Sequence, residues 1–243
     1  MIPTAEQLDE WFKAGTMKRL GMGSRRACYA IPDTNLCVKC YRSDAEIKEG
    51  KYPGVSPISP LAAAVVHEIR KYRFDEKHNT SCQECRYWCE LKQRLPPELM
   101  AVFPSVMGQV VVPVRGWCAV EEIVSNEDGS EAKKFHDALA ASKSDERDRL
   151  YAAFDWLVRE LCRHAVRFYD PQNVLVQRCA NGSLRLRITD FEPASRTFIP
   201  LDRFFTVLTR LKIKRRFVRY RKAFGIVRPF SGTGKNYGIL LGH

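Results

Sequence analysis

Phe168-Tyr169-Asp170-Pro171-Gln172-Asn173 leads into Val174-Leu175-Val176-Gln177-Arg178. Cys179-Ala180-Asn181-Gly182-Ser183 follows, and then Leu184-Arg185-Leu186-Arg187-Ile188-Thr189-Asp190-Phe191-Glu192. The run reads as a polar loop, a short strand, a turn, a second strand and a carboxylate at the strand end. Val174, Leu175 and Val176 are β-formers, while Leu184, Leu186 and Ile188 alternate with Arg185, Arg187 and Thr189 at the period of a strand. Asn181-Gly182 predicts a tight hairpin turn, because both residues accept positive φ. Closing that hairpin brings Asn173 and Asp190 to one end. An amide oxygen and a carboxylate meeting there are hard ligands, suited to Mg²⁺ carrying a nucleotide's phosphates. The same residues also fit an ordinary hairpin whose Asn and Asp are satisfied locally.

Pro171-Gln172-Asn173-Val174-Leu175 followed by Asp190-Phe191 resembles the catalytic loop and metal motif of protein-kinase-like phosphotransferases. Working outward, the parts such a site needs occur upstream in order. Leu20-Gly21-Met22-Gly23-Ser24-Arg25-Arg26 is a small-residue loop before a strand over 27–31. A second strand, 36–41, carries Lys39 among apolar neighbours. A lysine there reads either as a solvated edge charge or, by the resemblance, as the group that holds the α- and β-phosphates. Helical spacing over 61–72 places Glu68 after that strand, and the resemblance implies that it pairs with Lys39. Strands are expected over 102–107, 109–114 and 117–124. By the resemblance, the backbone around Glu122 and Val124 meets the adenine edge. Residues 125–147 read as loop and surface helix and precede a helix over 148–166 that runs into Phe168.

With 243 residues and 45% hydrophobic content, the chain can bury a core and form one or two lobes. No apolar run reaches the roughly 18 residues of a membrane span. The first ten residues are acidic and mixed, unlike a signal peptide. Nine scattered cysteines fit reduced thiols and a cytoplasmic setting better than a disulfide framework. His78, Cys82, Cys85 and Cys89 suit a zinc site by spacing. The three cysteines equally suit one buried helix face. A net charge of +12, from 40 basic and 28 acidic residues, favours an anionic partner. The basic run Arg210, Lys212, Lys214, Arg215, Arg216, Arg219, Arg221 and Lys222 falls on a helix expected over 203–224, whose apolar positions include Phe204, Phe205, Val207, Leu208 and Leu211. That helix reads as a solvated face, an anionic membrane contact or a polyanion-binding surface.

Taken together, roughly residues 18–225 resemble the YrbL family of PhoP-regulatory-network proteins, small bacterial proteins with a kinase-like fold. The likeness rests on Gly21-x-Gly23-Ser24-Arg25-Arg26-x-Cys28-Tyr29-Ala30, Cys37-Val38-Lys39, His67-Glu68, 121–129, Pro171-Gln172-Asn173 and Ile199-Pro200-Leu201. It implies an α+β, small two-lobed protein-kinase-like fold with a shortened C-lobe, divided into 1–124 and 125–243. Its implied function is ATP- and Mg²⁺-dependent phosphoryl transfer. Lys39 would bind phosphates, Gly21, Gly23 and Ser24 would shape the phosphate lid, and Asn173 and Asp190 would hold Mg²⁺. Three departures stand out. The usual catalytic aspartate precedes the loop asparagine by five positions, and Phe168 stands there, leaving Asp170 as the candidate base. Arg26 replaces the third loop glycine, and Glu192 follows Asp190-Phe191 where a glycine is usual. A catalytically inactive nucleotide-binding pseudokinase is the alternative, and a nucleic-acid-binding module is the second. With no Ala-Pro-Glu motif after Asp190, a small-molecule, glycan or lipid-linked acceptor is expected over a protein.

Overall fold

The computed structural model describes residues 2–49, 60–191 and 206–226. Residues 50–59, Glu192, Ile199-Pro200-Leu201, Phe204 and Phe205 lie outside those residues. The protein is a mixed α+β chain with antiparallel sheets. It divides into two compact units, 1–89 with 105–123 and 90–104 with 124–243.

The first unit is built on a five-stranded antiparallel sheet. Its strands are β1 (Arg19–Met22), β2 (Arg26–Ala30), β3 (Leu36–Tyr41), β4 (Val106–Val112) and β5 (Gly116–Glu122), in the order β1-β2-β3-β5-β4. Helix α1 (Ala5–Ala14) opens with a capping box between Thr4 and Gln7 and stops at Gly15, whose φ is 67°. It buries Leu8 on a sheet core of Ile31, Val38, Cys40, Val112, Cys118 and Val120. The short helix α2 (Asp44–Lys48) is tied down by Glu46, which accepts from Tyr29 and Arg115. Helix α3 (Pro60–Tyr72) packs Ala62, Val65 and Ile69 around Tyr41.

Helix α4 (Thr80–Arg94) begins in this unit. Asn79 caps it, its Oδ1 accepting from Ser81 at 2.9 Å while its amide donates to the Tyr72 and Arg73 carbonyls. Gly116 (φ 72°) is required by its surroundings, since a Cβ there would lie 2.1 Å from the Arg73 carbonyl oxygen. The two strands expected over 102–107 and 109–114 are one strand, β4. It runs through a register shift at Gly108, and residues 97–100 form the short helix α5 (Pro97–Met100). A bulge keeps the ladder going where the pattern reads as a break.

The second unit carries β6 (Lys133–Lys134), β7 (Val174–Arg178) and β8 (Leu184–Ile188), paired in that order. Among the described residues it also holds α5 and the helices α6 (Phe135–Ala141), α7 (Ser144–Arg163) and α8 (Thr206–Ala223). Residues 90–104 are bound in by the Ile188 N–H, which donates to the Val102 carbonyl at 2.7 Å, and by Phe103, whose ring stands edge-on to Phe191 at 5.2 Å. Helix α7 buries Leu150, Phe154, Leu157 and Leu161. Helix α8 buries Thr209, Ile213, Phe217 and Tyr220, so the expected apolar positions Val207, Leu208 and Leu211 are the exposed ones.

The β7–β8 turn differs from the tight type expected. Only Gly182 has positive φ (74°). The Gly182 N–H donates to the Cys179 carbonyl, and Asn181 uses its side chain to accept from Ser183. A longer loop closed by one left-handed glycine needs no positive φ from Asn181.

Candidate functional site

Lys39 sits mid-strand in β3 with its side chain 12% exposed. Its Nζ lies 2.8 Å from Glu121 Oε2 and 3.3 Å from Glu84 Oε1. Both carboxylates are buried, and the Arg26 Nη1 lies 2.5 Å from the other oxygen of Glu84. The sheet register explains the first contact. Lys39 pairs with Ala119, which puts Glu121 diagonally across on the same face. A hydrogen bond explains the second. The Ser81 hydroxyl donates to the Lys39 carbonyl at 3.1 Å, anchoring the first turn of α4 on β3. Glu84, three residues on, shares Ser81's helix face.

The pairing expected from Glu68 is therefore made by Glu84. Glu68, on α3 and 31% exposed, pairs instead with Arg25 Nε at 2.9 Å. Arg26 points inward to Glu84, away from the loop's outer face. Burial pushes the Glu121 carboxyl up to about 7, with the neighbouring Glu84 charge adding to it and Lys39 opposing. Its second oxygen, Oε1, is buried and has no hydrogen-bond partner among the described residues.

Gly21 and Gly23 border this cluster in sequence. Neither needs a positive φ. A Cβ at Gly21 would touch nothing within 4 Å, and one at Gly23 would reach only the Arg26 carbonyl oxygen, at 3.6 Å. The described fold would accept side chains at both. Ser24 lies in the same turn, which the Gly23 N–H closes onto the Arg26 carbonyl at 2.8 Å. At the end of β5, Glu122 is tied to Ser105 through both its backbone and its side chain. The Ile123 N–H donates to the Asn35 carbonyl, whereas the Val124 backbone has no hydrogen bond among the described residues.

In the second unit, α7 ends at Arg163, Ala165 follows with φ 47°, and the chain enters Phe168. Phe168 is buried, 6.2 Å from the Phe217 ring, so it belongs to the core. Asp170 is exposed. One carboxylate oxygen accepts from the Gln172 N–H at 3.2 Å and caps the 3₁₀ turn Pro171–Asn173. The hairpin brings Asn173 and Asp190 to one end as expected. Val174 pairs with Ile188, and the Thr189 N–H donates to the Asn173 carbonyl at 2.9 Å. The half-buried Asn173 side chain has no hydrogen bond among the described residues. Asp190 is exposed with φ 53°, while Phe191 beside it is fully buried. A left-handed backbone at a residue other than glycine costs energy and persists where the surroundings enforce it, as at ligand sites.

The cysteine-rich stretch behaves as packing. Cys82 and Cys85 are buried on α4, and burial pushes both thiols up to about 12. Cys89 is exposed, and His78 Nδ1 lies 2.7 Å from Asp75. Among the described residues no group of three His, Cys, Asp or Glu side chains is placed to hold a metal ion.

Residues 15–225 match the family model described as PhoP regulatory network protein YrbL. The chain belongs to the YrbL family. The YrbL span takes in every element from β1 to α8, and with them both the Lys39 cluster and the hairpin end. No curated protein matches the chain.

Proposed function

We propose that this YrbL-family chain is a kinase-like phosphotransferase that uses ATP with Mg²⁺ on an acceptor other than a protein. The observation that carries the reading is the buried Lys39–Glu84 pair between a sheet strand and the helix that follows it. A lysine fixed by a helix glutamate is what a kinase-like site uses to hold the α- and β-phosphates. The β1-β2-β3-β5-β4 sheet, with the pairing helix between β3 and β4, supports the same superfamily.

Asn173 and Asp190 fit a magnesium ion. They are hard oxygen donors at one hairpin end, the amide without a hydrogen bond among the described residues and the carboxylate on a left-handed backbone. Bound Mg²⁺ would neutralise charge on the transferring phosphoryl group. The chain's own part is positioning. Lys39 holds phosphate, and the small residues at 21 and 23 let loop N–H groups approach. Asp170 keeps one carboxylate oxygen beyond its turn-capping bond, able to take the proton of an acceptor hydroxyl. As that O–H is lost, an oxygen–phosphorus bond forms and ADP leaves. The nine free thiols support a cytoplasmic setting, and no helix among the described residues is long and apolar enough to cross a membrane.

The burial of Phe168 favours one second reading, an inactive nucleotide-binding pseudokinase, because the usual base position is filled by a core side chain. ATP turnover separates the two. For the phosphotransferase, Asp170→Asn lowers turnover by about 10²–10⁴-fold and leaves nucleotide binding intact. Binding without turnover, unaltered by Asp170→Asn, establishes the pseudokinase.

A further inference from the structure

Helix α8 has eight cations and no acid over Thr206–Ala223. The cations fall into two sets. Three face inward and are used. Arg210 donates to the Cys162 and Arg163 carbonyls at 3.0 and 3.2 Å, Lys212 lies over the Tyr169 ring at 4.1 Å, and Arg221 pairs with Asp155. The other five, Lys214, Arg215, Arg216, Arg219 and Lys222, are exposed and make no hydrogen bond or ion pair among the described residues. Arg219 lies at i+4 and i+3 from Arg215 and Arg216 and three before Lys222, spacings at which like charges repel across a helix.

Three aliphatic side chains run along the same outer face. Val207, Leu211 and Val218 are 61%, 57% and 60% exposed. They sit at i, i+4 and i+11, nearly in line along three turns, opposite the buried stripe of Thr209, Ile213, Phe217 and Tyr220. Lys214 and Lys222 flank that line.

We infer that the outer face of α8 docks on an anionic phospholipid bilayer. Headgroup phosphates neutralise Lys214, Arg215, Arg219 and Lys222 around that line, and the three aliphatic side chains enter the boundary between headgroups and acyl chains. A nucleic acid would satisfy the cations but leave the aliphatic line in water. Charge and apolar pattern together therefore select the bilayer. The inference holds whether or not the chain transfers phosphate.

Co-sedimentation of the full chain with vesicles tests it. Vesicles of phosphatidylcholine alone are compared with vesicles containing phosphatidylglycerol, with duplex DNA as a separate probe at the same salt. The chain is expected to bind the phosphatidylglycerol vesicles and release from them as salt rises. Arg215→Ala with Arg219→Ala lowers the partition about 25-fold. Leu211→Ser with Val218→Ser lowers it about ten-fold or more. All four positions are exposed, and circular dichroism checks that the variants keep the fold. Failure to bind the anionic vesicles overturns the inference. So does binding that the serine variant leaves unchanged, or tighter binding to DNA that only the arginine variant weakens.

Discussion

Glu121 keeps one carboxylate oxygen on Lys39 and leaves the other buried without a hydrogen-bond partner among the described residues. Its carboxyl is pushed up from 4.5 to about 7, so between those values the folded chain binds a proton that the unfolded chain has lost. Stability from this group therefore falls as pH rises through that window, and the loss is complete above it. Urea denaturation should show the wild type losing on the order of 2–3 kcal/mol across the window, with Glu121→Gln flattening that part of the profile. Parallel profiles would remove the titration from Glu121. Asp190→Asn probes the other half of the site, because asparagine tolerates the left-handed region well. The melting temperature should move by no more than about 2 °C, a surface-sized effect, while the Mg²⁺-dependent response to ATP disappears. Lys39, Asn173 and Asp190 are legible in sequence because each sits at a fixed place relative to a strand pattern. Glu84 is not. In a helix rich in cysteine, arginine and lysine it reads as one more surface charge, and only the Ser81 anchor on β3 turns it inward.

At the scale of elements, α3 and α4 compete for the role of the helix that fixes Lys39. Removing Glu84 takes a buried carboxylate away from both Lys39 and Arg26, and Glu84→Ala should cost about 3–5 kcal/mol in chemical denaturation. Glu68→Ala breaks a partly exposed pair and should cost no more than about 1 kcal/mol. Equal losses would contradict the assignment to α4. Strong period-two and helical patterns make β2, β3, β5, α3, α7 and the β7–β8 hairpin readable from sequence alone. The misreadings have local causes. Gly108 looks like a strand break but is a bulge within β4. Asn181-Gly182 promises a two-residue turn, yet one glycine in a longer loop suffices. On α8 the residues that look like the core stripe are the exposed ones, because Ile213, Phe217 and Tyr220 face α7 in their place.

Across the whole molecule, Lys39 with its two carboxylates lies in one compact unit, and the Asn173–Asp190 hairpin end lies in the other. The excess of positive charge concentrates on α8, which carries eight cations and no acid. A ligand that binds only the folded chain must stabilise it. At a hundred-fold excess over its dissociation constant it adds about 2.7 kcal/mol, which is about 5–10 °C for a chain of this size. The measurement to make is a thermal melt of the full chain with ATP, with and without Mg²⁺, for the wild type and Asp190→Asn. A rise of that size that needs Mg²⁺ and vanishes in Asp190→Asn is the expected result. No rise at saturating millimolar ATP, or an equal rise in both proteins without Mg²⁺, would contradict the nucleotide site.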